Sequence, residues 1–90
     1  METIEFQRIA KALADPRRFA ILERIAGCKE LACQTLCGEM PVSKATLSHH
    51  LQELETAGLV SIRMDGKFAH LSLRKDVWLA YRKELAKRIG

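Results

Sequence analysis

The sequence has no apolar run approaching the roughly 20 residues that a bilayer crossing needs, and it has no internal repeat or low-complexity tract. A membrane-spanning helix and a repeat architecture are therefore not expected. Its five glycines are dispersed, so no glycine-rich loop is available to cradle a phosphate. Paired carboxylates at catalytic spacing are missing too, and Ser48 beside His49 and His50 is a run of neighbours pointing in different directions along a helix. Without a nucleophile and base in register, an enzyme is not expected. No basic-then-apolar leader opens the chain, and three cysteines, an odd number, cannot all pair within it. The expectation is a cytoplasmic protein with reduced thiols.

What is present fits one domain spanning residues 1–90. A chain of this length buries only about 60% of the surface that its unfolded form exposes. With disulfides set aside, association with a second copy is the expected extra source of stability. Fifteen Lys and Arg against 11 Asp and Glu leave a net charge of +4, which favours a polyanionic partner only if the cations gather on one surface. A hydrophobic fraction of 48% argues against disorder.

Periodicity divides the chain into five helices and a hairpin. Phe6, Ile9, Ala10 and Leu13 make one apolar stripe. Asp15-Pro16 supplies a capping acceptor and a proline at the first helical position, opening a second helix through Phe19, Leu22 and Ile25 to Gly27, which suits a left-handed cap. Lys29 to Met40 predicts a third helix with Ala32, Leu36 and Met40 in line, stopped by Pro41. Ser43 caps a fourth, whose buried stripe is Leu47, Leu51 and Leu54 and which Gly58 ends. Only Pro41 and Val42 separate the third helix from that cap, the spacing of a helix-turn-helix. Alternation then takes over, with Val60, Ile62 and Met64 on one face. Asp65-Gly66 signals a type I′ hairpin, and Phe68 to Leu73 returns as its partner strand. A final helix carries Trp78, Tyr81 and Leu85 on one side and Lys83, Lys87 and Arg88 on the other.

Leu13-Ala14-Asp15-Pro16-Arg17-Arg18, the run Val42 to Leu51, Leu54 to Val60 and the Gly66-Lys67 turn together resemble the ArsR/SmtB family of bacterial repressors over nearly the whole length. The resemblance implies a mainly α fold with a β-hairpin wing, in the order α-α-α-α-β-β-α of a winged helix-turn-helix. It also implies a homodimer, a double-stranded palindromic operator as partner, and release when an inducer binds or a thiol is modified. Phe6, Ile9, Leu13, Trp78, Tyr81 and Leu85, on the two terminal helices, are the candidate dimer contacts.

The fourth helix supports that reading on its own chemistry. Opposite its leucines it presents Ala45, Ser48, His49, Gln52 and Thr56, with Ser43, Lys44 and Thr46 at its start. Short and polar side chains let a helix approach the major groove and bond to base edges or phosphates. Arg63 and Lys67 flank the wing turn, and Arg17 stands at a helix start, where backbone N–H groups also favour phosphate. His50 falls between the two faces and is expected to pack near the core, bonded to backbone. The competing reading is a winged-helix module that binds protein instead of DNA.

Cys33 and Cys37 are four apart on one helix and Cys28 lies just before it, so the three thiols are candidate ligands for a thiophilic metal or metalloid such as trivalent arsenic. In arsenic-sensing relatives the same helix carries a Cys-x-Cys-x-x-Cys run. Here Cys37 matches its last position while Ala32 and Gln34 occupy the other two. That break favours the plainer reading of Cys33 and Cys37 as small core residues. Zinc-responsive relatives use carboxylates and histidines on the last helix, which has no histidine from Asp76 to Ile89.

Overall fold

Two side-chain caps start the helices that matter most. In the computed structural model, which describes residues 1–90, Asp15 Oδ1 accepts from the backbone N–H of Arg17 at 2.9 Å and of Arg18 at 3.1 Å. Pro16 at the first turn begins α2 (Pro16–Ala26), behind α1 (Thr3–Leu13). Ser43 Oγ accepts from the Thr46 N–H at 3.1 Å and so opens α4 (Lys44–Thr56). Each cap satisfies N–H groups that the first turn leaves without a partner.

The segment before α4 differs from the sequence expectation. Leu31 and Ala32 form a short strand, β1, antiparallel to β3 (Phe68–Leu73) with Leu31 opposite Leu71. Consequently α3 is shorter than expected and spans Cys33–Glu39. Leu31 is buried in the core, and its backbone is better satisfied by the sheet than by a helical turn at that edge. The sheet runs β1-β3-β2, with β2 at Val60–Asp65 and α5 at Lys75–Ile89 closing the chain. The winged helix-turn-helix order expected from the sequence is present, with one strand added.

Gly58 joins α4 to the wing. Its φ of +83° lies in the left-handed region, and around it the Gly58 N–H donates to Glu55 O at 2.9 Å while the Leu59 N–H reaches back to Leu54 O at 3.0 Å. These two bonds, with Leu54 and Leu59 both fully buried, make the complete Schellman closure. Gly27, expected to do the same for α2, has a φ of −74° and stays right-handed. The hairpin turn also differs. Asp65 pairs with Phe68, leaving Gly66 and Lys67 as the central residues, and only Gly66 has a positive φ, +62°. That is the pattern of a type II′ turn, not type I′.

The core draws on every element except the α3–α4 turn and the wing tip: Ile9, Ala12, Ile21, Leu22, Ile25, Leu31, Leu36, Leu47, Leu51, Leu54, Leu59, Val60, Leu71 and Tyr81. Two expected inward residues are displaced. Phe19 is exposed, because the buried stripe of α2 runs through Ile21, Leu22 and Ile25, and Ala10 of α1 gives way to Ala12.

Candidate nucleic-acid interface

Leu47, Leu51 and Leu54 anchor α4 in the core, and this fixes which face is left for a partner. Ala45, Ser48, His49 and Gln52, at helical spacing, are all exposed on the opposite side, with Lys44 exposed at the first position and Thr56 at the last. Ser43 and Thr46 have a different task. Ser43 Oγ also donates to Thr46 Oγ1 at 2.9 Å, so both hydroxyls are engaged in holding the helix start in shape.

His50 lies in the core as expected, but its Nδ1 has no hydrogen-bond partner, which corrects the expected bond to backbone. Asp15, at the α2 cap, is the nearby carboxylate: its pKa is held below the usual range chiefly by the Arg18 backbone N–H, then by that of Arg17, with charge from His50 adding to the effect.

Between α4 and the wing runs a groove of about 1030 Å³, with Leu47, Leu51, Ile62 and Leu71 in its wall. Lys44, Ser48 and Gln52 line it from the helix and Lys67 from the turn. Two cations separated by 23 residues of sequence are thus brought to one depression. Lys67 Nζ sits 5.6 Å from the centroid of the Phe68 ring, at the reach of a weak cation–π contact. Lys44, Lys67 and Arg17 form no ion pair. Arg17 stands apart, at the start of α2.

Arg63, across the hairpin from the groove-lining His70, is engaged. Its Nη2 donates to Glu30 Oε1 at 2.8 Å and its Nε to Glu30 Oε2 at 3.1 Å. This fork holds the Glu30 carboxyl below its ordinary pKa and raises that of the guanidinium. His70, directly across the hairpin from Arg63, has its Nδ1 3.9 Å from Glu30 Oε1. Nothing local in the sequence signals this pairing, since Glu30 precedes Arg63 by 33 positions.

The three thiols do not gather. No group of three His, Cys, Asp or Glu side chains is placed to hold a metal ion, which corrects the expected Cys28, Cys33 and Cys37 set within one chain. Cys28 Sγ instead accepts from Arg24 Nη1 at 3.0 Å, while Arg24 forks onto Glu39 at 2.8 and 3.0 Å. That fork holds the Glu39 carboxyl low and, with Cys28, raises the guanidinium. Cys33 and Cys37 are half-buried beside the groove. Burial, then the neighbouring Cys37, pushes the Cys33 thiol up, so it is a poorer thiolate than a free cysteine.

Of the candidate dimer contacts, Ile9 and Tyr81 are already buried within the chain. Phe6 stacks on Tyr81 with centroids 5.1 Å apart, and Leu13 and Trp78 are half-buried against the core. The apolar side chains left outside are Leu85, as expected, together with Ile4 at 64%, Leu79 at 49% and Ile89 at 81% exposure. The terminal helices thus keep an uncovered apolar surface, carried mostly by residues other than those expected.

Residues 13–63, which hold α2 to α4 and the first half of the wing, match the family described as a helix-turn-helix domain. The arsenical resistance operon repressor of Staphylococcus xylosus is 39% identical over 62 residues, covering 69% of this chain and 59% of the relative. The chain belongs to the ArsR family of winged helix-turn-helix proteins. A likeness at the level of structure is to a homodimeric winged helix-turn-helix DNA-binding domain from Mycobacterium bovis, described as a possible ArsR-family transcriptional regulator, which superposes with a TM-score of 0.75 at 28% identity, over 93% of this chain and 78% of that one. An uncharacterized HTH-type transcriptional regulator of Bacillus subtilis, YceK, is 36% identical over 75 residues, covering 82% of this chain and 75% of the relative.

Proposed function

We propose that this ArsR-family chain is a homodimeric, sequence-specific DNA-binding repressor that acts in the cytoplasm and has no catalytic activity. The observation that carries the reading is the α4 face: a helix capped at Ser43, held inward by three leucines, showing only short or polar groups outward. Beside it lies a groove with unpaired Lys44 and Lys67 at its rim. Gln52, Ser48 and His49 read base edges in the major groove, while Lys44, Lys67 and Arg17 bind phosphates and set register.

The exposed apolar residues of α1 and α5, Ile4, Leu79, Leu85 and Ile89, join two copies, which adds buried surface to a small core. A two-fold dimer implies half-sites about one helical turn apart. Cys33 and Cys37 border the groove, so an adduct on either thiol would crowd the approaching duplex and release it.

Selection of the reduced protein against a random duplex pool tests the reading. An enriched inverted repeat is expected, with binding to it abolished by Lys44→Ala with His49→Ala while the dimer stays folded. No enrichment at low salt would overturn it in favour of a module that binds protein.

A further inference from the structure

Of the four cations that the sequence offers to a duplex, three, Arg17, Lys44 and Lys67, carry no carboxylate partner. Arg63 alone is occupied, and by both oxygens of one carboxylate. A carboxylate presents to a guanidinium the same two-oxygen fork that a phosphate does. Glu30 comes from the loop between α2 and β1, one residue before that strand and outside the hairpin that carries Arg63. Both side chains remain well exposed, at 56% for Arg63 and 41% for Glu30. An ion pair in that setting is weak and readily exchanged.

We propose that Glu30 is an internal competitor for the DNA phosphate, holding Arg63 in a fork that the duplex backbone must displace before the wing engages. This rests on the DNA-binding reading above. In the free protein the pair lowers the positive charge that the wing offers to any polyanion. On a duplex docked through α4, a phosphate delivered beside the wing takes over the guanidinium, and Glu30 is left to water and to His70, 3.9 Å away. Loose, non-specific encounters lack that delivered phosphate and do not recruit Arg63. The cost of breaking the pair falls on the complex that recruits Arg63, so Glu30 tempers operator affinity without touching a base.

Glu30→Gln keeps the shape and one acceptor but removes the charge. An exposed pair is worth about 1.4- to 5-fold in an equilibrium constant. With two copies per dimer, affinity for the selected operator at low salt is expected to rise about 2- to 30-fold. The rise should be smaller for a random-sequence 30-base-pair duplex, which does not recruit Arg63, and it should shrink as salt screens the wild-type pair. In an Arg63→Ala background the same change should have little effect, because Glu30 acts through that guanidinium. Melting of each variant checks that the fold is intact, and both sites are exposed enough for it to be.

An unchanged or weaker affinity for Glu30→Gln, with the wild type binding duplex normally, would overturn this proposal alone. An equal gain in the Arg63→Ala background would also overturn it, by making Glu30 a direct repulsive charge. No duplex binding by the wild type or any variant would overturn the DNA-binding reading, and this proposal with it.

Discussion

Gly58 carries the whole connection between the candidate recognition helix and the wing, and replacing it by alanine isolates one physical cost. A Cβ there would lie 3.8 Å from Val77 Cγ1 and 3.9 Å from Cγ2, ordinary contact, so crowding contributes nothing. What remains is a non-glycine residue held at a φ of +83°, a cost of about 1–2 kcal/mol. Gly27 is the internal control. It closes α2 at a φ of −74°, and a Cβ would meet nothing closer than Arg24 O at 3.5 Å. Gly27→Ala should therefore stabilise by about 0.4–1 kcal/mol through the unfolded chain. The two substitutions should differ by about 1.5–3 kcal/mol. For a domain of this size each kcal/mol moves the Tm by about 4–8 °C, so their melting points should separate by at least about 6 °C. Thermal melts must be run at one protomer concentration, because association feeds into apparent stability. A Gly58→Ala melting point equal to the wild type, or a Gly27→Ala value below it, would refute the assignment of left- and right-handed closures. Gly58→Ala should also weaken operator binding, since the wing and α4 meet at that residue.

Leu54, fully buried at the last turn of α4, should lose about 2–5 kcal/mol of stability on truncation to alanine, read from urea unfolding. Lys67→Ala should reduce the log–log salt dependence of operator binding by about 1.8, because two wing tips each give up one phosphate contact worth about 0.9; an unchanged slope would remove Lys67 from the interface. In a Cys28→Ser, Cys37→Ser background, Cys33 should be alkylated more slowly than free cysteine near pH 8, and faster as pH rises, because burial holds its thiol protonated. The carboxyls of Asp15, Glu30, Glu39, Asp76 and Glu84 are all held below their ordinary values, each by a hydrogen bond to a backbone N–H or an arginine. The unfolded chain therefore binds more protons than the folded one in the acid range. The stability they add is present above the unfolded values near pH 4 and lost as pH falls through the lower folded ones. Urea midpoints should drop below about pH 4, and Glu39→Gln should flatten that drop.

The helix-turn-helix was legible in the sequence because each of its signals is local. Asp15-Pro16 and Ser43 act within three residues of themselves, the α4 leucines repeat at the helical period, and alternation from Val60 marks the strand that follows. Those residues determined which face of α4 is buried, and so which polar side chains are offered to a partner. The wing hairpin was legible, yet its turn was not: the pairing of Asp65 with Phe68 moves the central residues from Asp65 and Gly66 to Gly66 and Lys67 and puts glycine first, a register the sequence alone does not show.

What the chain order alone could not decide was settled by contacts across the sheet. Leu31 and Ala32 became a strand only because β3 passes beside them, which shortened α3. Ile9 and Tyr81 were drawn from the candidate dimer surface into the protomer's own core, leaving Ile4, Leu79 and Ile89 outside. Arg63 was tied to Glu30 from a loop 33 positions away. Caps, helical periods and hairpin signals are fixed by bonds spanning a few residues, whereas a side chain's final partner depends on which distant segment folding brings beside it.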